Sequence, residues 1–155
     1  MNNQKTQNLI QIFNKTIELL ASSDSYQWGH MGACNCGHVI QAITGYSKGQ
    51  IHELGLQKEG DWRDKTKEYC ETSGLAVDEL ITMLIKIGFV LEDIEHLERL
   101  SDHKVLKYVP EQKRPLKHNS KEDLIIYLKA WIQKLEDETS NQDLVLNLSF
   151  AALKG

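Results

Sequence analysis

The sequence predicts an all-α protein. Apolar residues recur at three- and four-residue spacing in several segments, as on one face of a helix. No alternation of strand and helix patterns suggests a parallel sheet. Only two prolines punctuate 155 residues. The expectation is one compact domain, residues 1–155, of five or six helices with at most one or two short strands. Folding at this length buries roughly two-thirds of the extended chain's surface, so neither a metal nor a disulfide is needed to hold it together.

In "LIQIFNKTIELL", Ile10, Phe13, Ile17 and Leu20 form one helical face, and "ASSDS" ends it. "CGHVIQAITG" reads as a short helix carrying Val39, Ile40, Ala42 and Ile43, stopped by Gly45. "YSKGQIHELGLQKEGD" has three glycines and weak periodicity and reads as a loop with one turn at Ile51–Leu54. "DWRDKTKEYCETSG" reads as a helix with Trp62, Tyr69 and Cys70 on its apolar side. In "LAVDELITMLIKIG", Val77, Leu80, Ile81 and Leu84 line a helix that Gly88 closes, with Asp78 and Glu79 favouring its first turn. "FVLEDIEHLERL" follows with Ile94, Leu97 and Leu100 buried. "HKVLKYV" is β-branched and aromatic and reads as extended. "NSKEDLIIYLKAWIQKLEDE" is a helix capped by Ser120, with a stripe of Leu124, Leu128, Trp131 and Leu135. The tail "NQDLVLNLSFAALKG" is apolar enough to dock on the core, as either helix or strand.

The net charge is −4, from 18 basic and 22 acidic residues. Nucleic-acid binding rests on phosphate neutralisation, so no nucleic-acid partner is expected. The one basic stretch, Lys107–Lys121, has no interleaved aromatics to stack bases and reads as a solvated connector. The helix–glycine–helix of residues 78–100 has the outline of a helix-turn-helix. Its second helix carries Glu92, Asp93, Glu95 and Glu98 against Arg99, which phosphates would repel, so a plain helical hairpin is expected. Residues 1–22 hold no continuous apolar stretch, because Gln11, Asn14, Lys15 and Glu18 interrupt it. No 20-residue apolar run exists, and no membrane partner is expected. Three cysteines, two of them one residue apart, do not make a disulfide scaffold. Reduced thiols and a cytoplasmic location are the expectation.

Chemistry concentrates in "YQWGHMGACNCGH", Tyr26–His38. The leading expectation is a transition metal bound by His30, Cys34, Cys36 and His38. Imidazole and thiolate suit Zn, with Cu or Fe as alternatives, and Met31 beside a C-x-C pair would suit Cu(I). Four donors in nine residues would crowd a tetrahedral centre, so two or three of them with a distant histidine (His52, His96, His103 or His118) fit better.

An alternative is a thiol-dependent enzyme with Cys36 or Cys34 as nucleophile and a histidine base. A helix starting near Cys36 would lower its thiol pKa, Gly32 and Gly37 would admit a substrate, and the Cys36 amide would serve an oxyanion. "GACNCGH" resembles, over about eight residues, the nucleophile segment of papain-like proteases. Here the cysteines are one residue apart rather than two, no aromatic follows Cys36 and no Gln stands upstream. A C-x-C disulfide, strained and easily reduced, is a redox variant.

A further alternative is a helical interaction protein in which this loop, Trp28 included, is packed core and some apolar helix faces form a homodimer. Cys70 reads as a packing residue, and Asp61, Asp64 and Glu68 as a solvated face. One feature separates these classes. An enzyme lines a concave site with residues 26–38, whereas an interaction module buries them and exposes an apolar patch elsewhere.

Overall fold

The computed structural model describes residues 2–22, 24–28, 30, 32–56 and 79–154. Among these residues there are seven α-helices, one 3₁₀ turn and no strand. The all-α expectation holds. The segment carrying Trp62, Cys70 and Val77, with the acids at 61, 64 and 68, lies outside the described residues, as does Met31.

Helix α1 (Asn3–Ser22) buries Leu9, Ile10, Phe13 and Leu20. Ile17 sits at the edge of that face, partly buried. Thr6 and Thr16 are buried too. Their hydroxyls donate to the carbonyls of Asn2 (3.1 Å) and Ile12 (2.7 Å), four residues back, so neither is left unsatisfied. Helix α2 (Asn35–Thr44) ends where Gly45 takes a left-handed φ of 74° and donates to Gln41 O.

The first departure from expectation is α3 (Lys48–Leu56), which replaces the loop read there. Its start is a reciprocal cap: Gln50 N donates to Ser47 Oγ (3.2 Å), and Ser47 N donates to Gln50 Oε1 (2.9 Å). That cap, and the complete burial of Ile51, outweigh the glycines that lower helix propensity.

Helix α4 (Glu79–Lys86) buries Leu80, Ile81 and Leu84. Gly88, at φ 114°, turns the chain so that Phe89 N reaches Leu84 O at 3.1 Å. Helix α5 (Leu91–Arg99) buries Ile94 and Leu97 and ends at Leu100, also buried.

The second departure is "HKVLKYV". It forms a short helix, α6 (His103–Leu106), not an extended segment. Asp102 caps it by accepting from Lys104 N at 2.9 Å, and Val105 and Val109 turn into the core. Residues 107–121 form a largely exposed connector, as expected, with a 3₁₀ turn at Glu111–Lys113 and a cis peptide at Arg114–Pro115.

Helix α7 (Lys121–Lys154) is capped by Ser120, whose Oγ accepts from Asp123 N at 3.2 Å. Leu124, Leu128, Trp131 and Leu135 are all buried, as their spacing predicts. The third departure is the tail. It does not dock on the core but continues α7, and every described side chain from Ser140 to Leu153 is exposed. No helix among the described residues is long and apolar enough to cross a membrane.

The centre of the packing is α2, which contacts α1, α3, α4 and α5, while α1 and α6 lie against α7. An aromatic cluster joins three elements. Phe13 of α1 stands 6.0 Å from Phe89 and 4.7 Å from Trp131 of α7, and Phe89 is 5.2 Å from Trp131. Such pairs add to plain burial. Removing the fully buried Phe13 ring strips the cluster of its α1 member. Phe13→Ala is expected to lower unfolding free energy by about 3–5 kcal/mol, read from the urea midpoint.

Candidate functional site

The segment Tyr26–His38 enters α2 through a tight turn. Ala33 N and Cys34 N both donate to His30 O at 2.9 Å, and Gln27 N donates to Ala33 O at 2.9 Å. A Cβ on Gly32 would meet the carbonyl oxygen of Lys48 at 2.0 Å. The room that glycine provides is therefore filled by the start of α3, not left for a substrate. Gly32 O in turn accepts from Gln41 Nε2 at 2.6 Å.

Cys34 is the N-cap of α2, with Sγ accepting from Gly37 N at 3.4 Å. The next residue holds the site together. Asn35 is wholly buried. Its Oδ1 accepts from Tyr26 Oη at 2.7 Å. Its Nδ2 faces the carbonyls of Leu97 (3.0 Å), Glu98 (3.2 Å) and His118 (3.0 Å). Carbonyls only accept, so this side of the amide is the NH₂. Two of the three belong to the last turn of α5, where carbonyls lack partners inside the helix.

Cys36 is fully buried. Its backbone N–H, expected to be available to an oxyanion, donates instead to Glu98 Oε1 at 2.6 Å. Its thiol donates to Ile94 O at 3.5 Å. Burial, then the nearby Glu98 carboxylate, push this thiol's pKa well above the ordinary range. A helix start does lie here, but it does not produce a thiolate at Cys36, because desolvation and a neighbouring acid outweigh the dipole. Burial also raises the Glu98 carboxyl pKa, against the opposing pull of the Cys36 N–H. Neither Cys34 nor Cys36 is in a disulfide.

His38 is buried, its Nδ1 3.1 Å from Cys34 O. A carbonyl acceptor puts the proton on Nδ1, so Nε2 presents a lone pair, and it has no hydrogen-bond partner among the described residues. Burial lowers this imidazole's pKa. His30 Nδ1 accepts from Gly32 N at 3.2 Å, which leaves its proton on Nε2. Its ring lies 4.5 Å from that of His52, inclined by 30°. Burial first, then His52 and Lys48, lower the His30 pKa.

The distant histidines thus divide. His52 meets His30. His118 meets Trp28, ring to ring at 4.7 Å. His96 Nδ1 is 2.8 Å from Ser101 Oγ. His103 opens α6. Trp28 is about one-third exposed rather than core (36 %). Its Nε1 donates to Glu98 O at 3.3 Å, and the Arg99 guanidinium lies 5.3 Å from its ring centroid.

Each predicted donor is therefore engaged in its own local contact. Cys34 caps α2, Cys36 lies against α5, His38 bonds back to Cys34, and His30 faces Gly32 and His52. Among the described residues no group of three or more His, Cys, Asp or Glu side chains is arranged to hold a metal ion. A cavity of about 130 Å³ opens between α1, α5 and α7, lined in part by Thr6, Asp93, Trp131 and Lys134, and none of residues 26–38 lines it. No known protein family matches this sequence, and no curated protein or solved structure matches it.

Two residues that organise the site escape a reading for ligands and nucleophiles. Asn35 stands one residue inside the Cys34 cap, and its side chain serves distant partners rather than the helix start. Glu98 carries no local signal, because only the fold brings it to Cys36.

Removing the Asn35 amide takes a partner from Tyr26 Oη and from the carbonyls of Leu97, Glu98 and His118, although Tyr26 Oη still reaches His118 O and Trp28 Nε1 still donates to Glu98 O. Asn35→Ala is expected to cost about 2–4 kcal/mol in urea unfolding, and Asn35→Asp at least as much, because a carboxylate would face three carbonyls. Glu98 and His38 pull stability in opposite pH directions. A raised carboxyl pKa gives stability that is present below 4.5 and lost as pH rises through the folded value. A lowered imidazole pKa gives stability that is present above 6.5 and lost as pH falls through the folded value. Glu98→Gln keeps an acceptor for Cys36 N and removes the buried charge. It is expected to match or exceed the wild-type melting temperature at pH 7.5, with the gain shrinking toward pH 4.5. A lower melting temperature at pH 7.5 would show the charged carboxylate to be stabilising.

Proposed function

We propose that this protein is a helical interaction module. The Cys/His segment is its packed anchor, and the exposed end of α7 is its docking surface. One observation carries the reading: residues 32–38, with both cysteines, are buried while Leu144, Val145, Leu146, Leu148, Phe150 and Leu153 stand more than half exposed on a single helix. Soluble monomers rarely expose contiguous apolar surface of this extent without a partner for it. The enzyme reading meets a Gly32 whose open side is filled by the start of α3 and a Cys36 thiol whose pKa burial raises well above the ordinary range. Of the two histidines in the segment, His30 has its Nδ1 lone pair engaged by Gly32 N, while His38 keeps its Nε2 lone pair.

The test follows thiol by thiol. In the native protein at pH 7.5, Cys34 and Cys36 are expected to alkylate at least about 100-fold more slowly than free cysteine, since buried protonated thiols are inert. Peptide-resolved mass spectrometry reads each rate. A cysteine reacting faster than free cysteine would return the segment to catalysis.

A second reading rests on the His38 Nε2 lone pair, buried and unpartnered. With Nδ1 held by a backbone carbonyl, Nε2 has the tautomer of a metal-ligating histidine. A soft ion there would need Cys34 or Cys36 to give up its present hydrogen bonds. Elemental analysis of native protein, compared with Cys34→Ser/Cys36→Ser, tests it. One equivalent of Zn, Cu or Fe lost in the double variant supports a metal, and no uptake of added Zn²⁺ rejects it.

A further inference from the structure

We infer that the occupant of the α7 docking surface is a second copy of the same helix end, laid antiparallel. This rests on the interaction reading above and names the partner it leaves open. Four observations support a second copy.

The first is spacing. At about 100° per residue, Leu144, Val145 and Leu148 share one side of the helix, and Leu146, Phe150 and Leu153 share the other. The latter three follow the 4-3 spacing of a coiled-coil seam, as do Leu144, Leu148 and Ala151, so the surface is cut for another helix.

The second is charge. No residue from Leu144 to Leu153 is charged, and no Lys or Arg stands between Lys134 and Lys154. An anionic lipid surface or a nucleic acid would find no cation there. An uncharged apolar helix meets its own copy without like-charge repulsion.

The third is area. At about 100 Å² for each large apolar side chain, the three on one side offer on the order of 300 Å² per copy and both sides together on the order of 600 Å². Roughly 800 Å² per partner is standard for a stable interface, so a single pairing is weak and the area favours an assembly in which both sides of each helix are covered by further copies.

The fourth sets orientation. Glu136, Asp137, Glu138 and Asp143 are exposed and lie just before the apolar turns. A parallel pair would set these acids beside their twins. An antiparallel pair centred near Leu148 sends them to opposite ends, along with the two folded bodies. One pairing covers one side of each helix, and the second side then joins pairs into tetramers as concentration rises.

Sedimentation of the full chain from about 1 to 200 µM tests the inference. The expected species is twice the 17.7 kDa monomer, or four times at the upper end. Leu148→Glu with Phe150→Glu is expected to return it to monomer while the near-ultraviolet spectrum of the Phe13–Phe89–Trp131 cluster stays unchanged. In a Cys70→Ser background, spin labels at Asn147 pair at short distance and labels at Ser140 pair at least about 10 Å farther apart, given a 1.5 Å rise per residue. Equal distances would overturn the antiparallel arrangement. A wild-type monomer at 200 µM would overturn the second-copy partner. Binding of the dye bis-ANS then separates the two claims. A monomer whose dye signal falls at least about five-fold in the Leu148→Glu/Phe150→Glu variant retains a docking surface for some other helix. A monomer with no dye signal at α7 removes the interaction reading as well.

Discussion

One side-chain amide ties this fold together. Asn35 sits at the first turn of α2, bonded to Tyr26 ahead of it, to the last turn of α5 and to the carbonyl of His118 just before α7. These groups come from three stretches of the chain, two of them more than sixty residues from Asn35. Each has a polar atom that burial would otherwise strand, and a helix end always leaves some. A single residue with donors on one side and an acceptor on the other satisfies them together. Glu98 repeats the device one residue along, accepting from the Cys36 N–H. The helix termini can therefore meet in the interior, where α2 can touch α1, α3, α4 and α5 at once.

This arrangement explains why the Cys/His segment looks chemical and packs as structure. A thiol at an N-cap accepts a backbone N–H, much as a serine would, while tolerating an apolar setting. An imidazole one turn into α2 bonds back to the capping residue's carbonyl. A glycine in the preceding turn lets the chain pass against the first residue of α3. The same residue types that suit metal or nucleophile chemistry suit a crowded, partly polar helix junction. Sequence spacing alone does not separate the two uses.

Much of the fold is legible where one face repeats. The stripe Leu124–Leu128–Trp131–Leu135, the buried set Leu80–Ile81–Leu84 and the Gly45 stop all follow from periodicity and backbone freedom. The misread elements share a cause. Helix α3 contains glycines, and its evidence lay in the Ser47–Gln50 pair rather than in its apolar residues. Helix α6 is four residues long, so its β-branched composition outweighed any period. The C-terminal tail is rich in apolar residues, but apolar content alone does not imply burial. Its residues fall on both sides of the helix, and no single core face can take up both. At the site, the cysteines and histidines stood out by type. The distant partners of Asn35 and Cys36, namely Leu97, Glu98 and His118, are more than sixty residues away, and nothing local announces them.

The length of α7 has a consequence of its own. An isolated helix of some 12–15 residues is marginal in water, because nucleation is costly. The exposed turns beyond Ser140 avoid that cost, since they propagate from a helix already nucleated and clamped by Tyr127, Leu128 and Trp131 in the core. A partner of the proposed kind would meet them already ordered. Segments that fold only on contact surrender affinity to conformational entropy, whereas a preformed helix keeps it. In the proposed interaction the core would thus act at a distance, setting how tightly a surface it never touches could bind.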